Sequence, residues 1–364
     1  RPGRVRDRRL WRLAAVVLLG ATLPACSPFY VIRAAYEEGK ILWRRQPIVE
    51  LLEQRELADD TAEKLKLVLA VRDYARDVLR FNVGGSYSSY SYVDRPDLSY
   101  IVTAAPQTEL KPYTWWFPIV GRIPYKGFFS KEAAHAEAER LKRNGYDTNI
   151  RATAAFSTLG WFDDPLLAHL LKYDKVTLAD LVFHELFHNT LYVKGAGSFN
   201  ESVASFVGAR AAIDFFRDRS GDESVEYKNA VRAWQEELEF AAFIENLAES
   251  LKELYARNIP LEEILRLREE VFAKGKAEWA DRISTRPSHR FRYFSMRPLN
   301  NAVMIHYLLY MNNLKLFESL YQAEGGNLVR VIDLIREAVP KGREPFATVQ
   351  ALLDKRTSGM TTVR

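Results

Sequence analysis

Residues Thr177–Glu201 read TLADLVFHELFHNTLYVKGAGSFNE. Two histidines stand four positions apart around a glutamate, and a second glutamate, Glu201, follows thirteen positions after His188. The pattern predicts a helix over Thr177–Tyr192, with Thr177 as its cap, Asp180 at the third position and Gly195 as its stop. On such a helix His184 and His188 lie one turn apart on the same face, with Cβ atoms ~5–6 Å from each other. That separation lets two imidazoles reach one tetrahedral ion. Zinc suits it best, being borderline-soft, content with nitrogen and oxygen donors, and free of redox chemistry. Glu185 projects about a quarter turn aside, where it can take a proton from water on the ion without ligating the ion itself. A catalytic zinc needs three protein ligands and an open fourth position, and Glu201 at the start of the next helix is the natural third.

Bland explanations stand beside this one. A histidine pair on an apolar helix face can be plain packing. Ser198–Glu201 also fits a capping box, in which Glu201 would reach back to the Ser198 amide. The combination shifts the balance toward a metal: a complete HExxH, apolar Val182, Phe183, Leu186 and Phe187 around it, and Asn200-Glu201 on the following helix. Tyr192, one turn past His188, and Asn200 are candidates for supporting the ligands from behind, with core filling the alternative for Tyr192.

HELFH followed by NESVA (Asn200–Ala204) resembles the gluzincin metallopeptidases, whose third ligand is a glutamate on the helix after HExxH. More closely, GKILWRRQPI (39–48), FSTLGWFDDPLL (156–167), HELFHNTLYVKG (184–195) and FNESVASFV (199–207) are similar to the bacterial putative aminopeptidase family of lipoprotein zinc peptidases. The resemblance implies a zincin-like fold, His184, His188 and Glu201 as zinc ligands, Glu185 as base, and a peptide as substrate. The interval of twelve residues between His188 and Glu201 is short for a gluzincin, so VKGAGS must turn tightly, as its two glycines allow.

The expected reaction is metal-assisted amide hydrolysis. Zinc brings the pKa of a bound water toward ~7 and polarises the scissile carbonyl, and Glu185 moves the proton to the leaving amine. A donor to the developing oxyanion is also needed. Tyr307 and Tyr310 are candidates, as are His289 and His306, each with packing as its plainer role. Ala154–Leu159 is strand-like and could pair with an extended peptide. Asp163 and Asp164 could then meet the substrate's free amine, although Asp-Asp-Pro is also good turn chemistry. The alternatives to an aminopeptidase are a zinc endopeptidase, an amidase of cell-wall peptides, and a non-catalytic lipoprotein that binds peptides on a peptidase fold.

Away from the motif, charge excludes one class of partner. The chain has 364 residues with 52 basic and 47 acidic ones, but residues 1–12 hold six arginines against Asp7 alone. Without them 46 basic face 46 acidic residues, so no footprint for nucleic acid remains. The arginines lead into an eleven-residue apolar run, Leu13–Leu23, too short to span a bilayer, and then into LPAC. That arrangement resembles a bacterial lipobox. Residues 1–25 would be a signal peptide and Cys26, the single cysteine, a lipid-anchored first residue. Ser27 points weakly to the periplasmic face of the outer membrane, with the inner membrane as the alternative. With no other cysteine in the sequence, the mature chain could form no disulfide, and nothing in its cysteine count suggests a thiolate metal site.

The remaining pattern predicts an α+β fold, mostly helical, with a small sheet in the N-terminal half. Residues 26–97 form a helical segment in which Asp60 and Glu63 resemble a capping box and Leu67, Val71, Tyr74 and Val78 share one face. Residues 98–364 form the catalytic region: a small sheet over 98–160, the motif helices over 177–218, and a helical part over 224–364. Within the sheet, residues 126–157 read as strand, helix, strand, with Ser130 capping and Gly145 stopping the helix.

Overall fold

The structure, a computed structural model, describes residues 42–54, 57–92, 99–117, 121–153, 163–342 and 344–361. The expected signal segment, Cys26 and the expected strand Ala154–Leu159 lie outside them. A two-residue strand β1 (Gln46–Pro47) leads into the short helix α1 (Ile48–Glu53) and then α2 (Asp59–Asp77). The capping box expected at Asp60 and Glu63 does not form: α2 starts after Ala58 with no side-chain cap. Other partners take both carboxylates. Asp60 pairs with Lys64 at 3.0 Å, and Glu63 receives Lys175 Nζ at 2.6 Å from the motif helix. The buried face of α2 runs through Leu65, Val68, Val71 and Ala75, while Val78 is exposed.

The strands form three small groups rather than one. β2 (Ser89–Ser91) pairs antiparallel with β1 and parallel with β8 (Leu166–Leu167), so the N-terminal segment is not purely helical. β4 (Trp115–Phe117) and β5 (Gly121–Ile123) make a two-stranded ribbon. Between them in importance lies the sheet the sequence anticipates. β3 (Ser99–Pro106) is flanked antiparallel by β6 (Lys126–Phe128) and β7 (Tyr146–Thr153), with α3 (Lys131–Arg143) joining the outer two. Ser130 caps α3 by accepting the Ala133 amide, and Gly145 stops it at a positive φ of 79°. Alternation in β3 then sorts its faces. Val102 and Ala104 pack with Phe128, Ala134, Ala138 and Leu141 under α3, and Thr103 turns the other way.

From Lys175 onward the chain is helical: α4 (Lys175–His188), α5 (Gly197–Ser220), α6 (Val225–Tyr255), α7 (Leu261–Arg282), α8 (Asn301–Met311), α9 (Leu314–Ala323), α10 (Leu328–Ala338) and α11 (Pro345–Thr361). The protein is thus mostly helical α+β, as the patterning implies. No helix among the described residues is long and apolar enough to cross a membrane. The helical core closes around α5, whose Phe199, Val203, Phe206, Val207 and Phe215 are all buried. Helix α8 joins this core to the sheet. It lies against β3 and β7, its Asn301 amide donating to Asp147 Oδ2 at 2.9 Å and Asn300 Nδ2 to the Thr148 carbonyl at 3.1 Å. Arg268 completes that junction with a buried ion pair to Asp147 at 3.0 Å.

Candidate metal centre

Helix α4 sits two residues earlier than its sequence suggests. Asp174, not Thr177, is the cap: its carboxylate accepts the Val176 and Thr177 amides, each at 3.0 Å, and the Thr177 hydroxyl at 2.7 Å. A carboxylate that reaches two orphan amides outcompetes a hydroxyl for the position. The helix also ends early, at His188. The loop before β2 intervenes there. Asn82 donates its backbone amide to Thr190 Oγ1 at 2.9 Å and its side chain to the Asn189 carbonyl at 3.4 Å, which draws the chain out of helical register. Tyr192 therefore lies beyond the helix and is half exposed.

The turn to α5 is tight. Gly195 takes a positive φ of 81°, and Asn200 clamps the loop by accepting the Val193 amide at 2.9 Å and donating to the Val193 carbonyl at 2.8 Å. Asn200 thus braces the loop, and Ala196 stands at the helix start. Ser198 gives its hydroxyl to the Leu308 carbonyl at 3.0 Å, so the capping box is not formed and Glu201 is left to turn toward the histidines. One turn on, Ser202 Oγ donates to the Leu309 carbonyl at 3.3 Å and accepts the Asn312 amide at 3.0 Å, tying the end of α8 to the same stretch. Gly208 then allows α4 and α5 to touch backbone to backbone. A Cβ there would stand 2.9 Å from the Asp180 carbonyl oxygen and 3.2 Å from His184 Cβ.

These constraints bring three donor atoms together. His184 Nε2 lies 3.2 Å from His188 Nε2 and 3.3 Å from Glu201 Oε2, and His188 Nε2 lies 3.7 Å from the same oxygen. A tetrahedral zinc with bonds of ~2.0–2.2 Å separates its ligands by ~3.4 Å. The donor set fits the ion in number, chemistry and spacing. Electrostatics agree. Burial disfavours a charged His184 ring, yet the Glu201 hydrogen bond and the Glu185 and Glu201 charges hold its pKa up to about 9. Burial likewise opposes charge on Glu201, but the two imidazoles hold its carboxyl well below the usual range. A cation is wanted at this point.

Around the cluster the other expectations separate. Tyr310 stands with its ring 6.3 Å from that of His184, and burial together with Glu201 pushes its phenol well above the ordinary value, so it remains a proton donor. His306, one turn earlier on α8, lies 5.4 Å from the Tyr310 ring, and burial with the nearby Arg151 charge lowers its pKa to about 3. Tyr307 points elsewhere, into Phe240 and Phe294 at 5.2 and 5.7 Å between ring centroids. It is a packing residue. His289 is wholly buried against Trp279 and accepts the Phe291 amide at 3.2 Å, so it too is structural. Asp163 Oδ1 accepts the Gly85 amide at 2.7 Å and so braces that loop, in keeping with the turn reading of Asp-Asp-Pro.

Several residues at the centre carry no legible local signal. Tyr125, just before β6, is pushed up by burial and then by the charges of Glu201, Tyr192 and Glu185. Tyr87 adopts a positive φ of 59° and feels the Glu185 charge after burial. Behind His184, burial and then Glu237 push the Asp180 carboxyl up to about 7, while Arg290 and His184 pull it down. Of these only Asp180, one turn before His184 on the same face, could have been picked out from spacing.

The sequence model of one family, described as Putative aminopeptidase, matches residues 29–344. No curated protein and no solved structure matches the chain.

Proposed function

From the premise that the chain belongs to the Putative aminopeptidase family, we propose that it is a zinc-dependent aminopeptidase of gluzincin type on a zincin-like fold. Family membership supports peptide hydrolysis in general, and the preference for a free amino terminus rests on it alone. The observation that carries zinc is the spacing of the three donors, 3.2, 3.3 and 3.7 Å, which suits a tetrahedral ion. His184, His188 and Glu201 would hold it.

When bound, zinc supplies Lewis acidity, acidifying a water molecule and polarising the scissile carbonyl. Glu185, next to His184 in sequence and near enough for its charge to reach the Tyr125 and Tyr310 phenols, would accept the water proton and return it to the leaving amine. Tyr310, kept protonated, donates to the oxyanion. Apolar Val182, Phe183, Leu186 and Phe187 are fully buried beneath and hold the ligands' backbone still. The LPAC motif supports attachment through a lipid on Cys26, with the catalytic body at the periplasmic face of the outer membrane. We take 1–25 as the signal, 26–97 as the N-terminal segment and 98–364 as the catalytic region.

The test is Glu185→Gln. It should keep about one zinc per chain and lose hydrolysis by ~10²–10⁴-fold. Unchanged turnover would end the mechanism. Free and N-acetylated peptides assayed together separate an aminopeptidase from an endopeptidase or cell-wall amidase, which would cut blocked substrates.

A further inference from the structure

Arg151 on β7 is absorbed by nothing described so far. Its guanidinium lies 5.9 Å from the centroid of the Tyr310 ring, and that ring lies 6.3 Å from the ring of His184. The placement follows from the packing of α8 on the sheet. The Asn301 amide is pinned to Asp147. From there four strand residues to Arg151 and nine helical residues to Tyr310 both advance ~13 Å, so the two side chains arrive together. Alternation puts Arg151 on the same face of β7 as Asp147, the face that α8 covers.

Arg268, Arg286 and Arg290 each reach a carboxylate, at 3.0, 2.7 and 3.3 Å. Arg151 is exposed and reaches none among the described residues. Its field falls on Tyr125, His306, Tyr307 and Tyr310, and all of these but Tyr307 also feel Glu201, so the cation and the donor cluster act on a shared set of groups. His306 stays neutral and cannot compete for an anion.

We propose that Arg151 is the carboxylate-binding subsite of the peptide groove, selecting substrates with a carboxylate two to three residues beyond the scissile bond. The inference rests on the hydrolase reading above. The guanidinium is no more than about 12 Å from the His184 ring, and an extended peptide covers ~3.3–3.6 Å per residue, which limits the register to about three residues. Two sources present this chemistry: the free C-terminus of a short peptide, or an acidic side chain in a longer one. Arginine's planar fork matches either, in two parallel hydrogen bonds.

One short peptide in three forms tests it: with a free C-terminal carboxylate, as the C-terminal amide, and as the amide with glutamate third after the scissile bond. The wild type should favour the free acid over the amide by about 10- to 100-fold in kcat/KM, chiefly through KM. Recovery by the glutamate peptide assigns a side-chain carboxylate, and no recovery assigns the C-terminus. In Arg151→Gln the ratio of acid to amide should fall to near one, and Arg151→Lys should keep part of it. Equal rates on acid and amide by the wild type overturn the proposal. If no peptide is cut, the hydrolase reading fails separately. The same three peptides are then titrated into zinc-loaded Glu185→Gln by calorimetry, where a carboxylate preference lost on adding Arg151→Gln supports the subsite and its absence overturns it.

Discussion

Gly208→Ala puts the helix contact behind the centre to the test. An added Cβ would meet Asp180 Oδ1 at 2.7 Å, the Asp180 carbonyl oxygen at 2.9 Å and His184 Cβ at 3.2 Å. The carboxylate can rotate away, but the carbonyl and His184 Cβ belong to the body of α4. Carbon atoms rest at ~3.5–4.0 Å, so the helices must part by about 0.5 Å. Two effects then compete. Replacing glycine inside a helix gains ~1 kcal/mol, and overpacking costs ~1–3 kcal/mol. Where the obstacle is backbone, overpacking wins, and the net loss should reach up to ~2 kcal/mol. Glu201 lies seven residues before Gly208, two turns along α5 and ~10 Å away on nearly the same face. A parting of the helices thus carries Glu201 from His184, widening a 3.3 Å separation past the ~3.4 Å that a tetrahedral zinc prefers. Zinc affinity should fall ~10–100-fold, read by competition with a chromogenic chelator, alongside a lower Tm in the metal-free chain. An alanine variant with unaltered zinc affinity and a raised Tm would refute the reasoning, because helix propensity would then be the only force at that position.

Three further outcomes follow from the same geometry. Tyr310→Phe removes a phenol that burial and Glu201 keep protonated, and should lower kcat by ~10²–10³-fold with little change in KM; an equal loss in Tyr307→Phe would contradict the assignment. Zinc must displace the proton that the metal-free His184 retains up to about pH 9, so affinity should strengthen as pH rises toward 9, by about a decade per unit, and level off above it; a flat profile would show that the ring is already neutral. Asn200→Ala leaves both Val193 backbone groups without their clamp and should cost ~1–3 kcal/mol, seen as a lower Tm and as proteolytic nicking within 193–199.

How much of this the sequence discloses depends on how far apart the interacting residues stand. The strand, helix and strand over 126–153 are fixed by local signals, Ser130 at one end and Gly145 at the other, and form as read. The histidine pair is equally local, since helical spacing alone puts both rings on one face. The helix ends are not local. Asp174 displaces Thr177 through a competition the pattern cannot rank, and Asn82 truncates α4 from a loop 107 positions away. The same holds for the oxyanion donor: Tyr307 and Tyr310 are indistinguishable on paper. Only the clasp of α8 between Asp147 and Ser202 turns one of them to the centre and the other into Phe240. Arg151 and Tyr125 come from the sheet and carry no motif at all.

The packing alternative for the histidines can now be weighed against the geometry. A structural ion pair needs one imidazole and one carboxylate, and His184 with Glu201 at 3.3 Å already supplies it. His188 is not needed to complete such a pair, although it also stands 3.7 Å from Glu201. Its Nε2 faces His184 Nε2 at 3.2 Å, where a single proton can lie between the two nitrogens, and its Nδ1 is buried with no hydrogen-bond partner among the described residues. Burying a polar ring in that way costs free energy with no return unless something else binds it. The Gly208 contact and the Asn200 clamp press all three donors to one point, where they would only crowd one another. A divalent cation would replace the shared proton, satisfy both Nε2 atoms and neutralise Glu201. The second imidazole, superfluous to packing, is the feature that a metal requires.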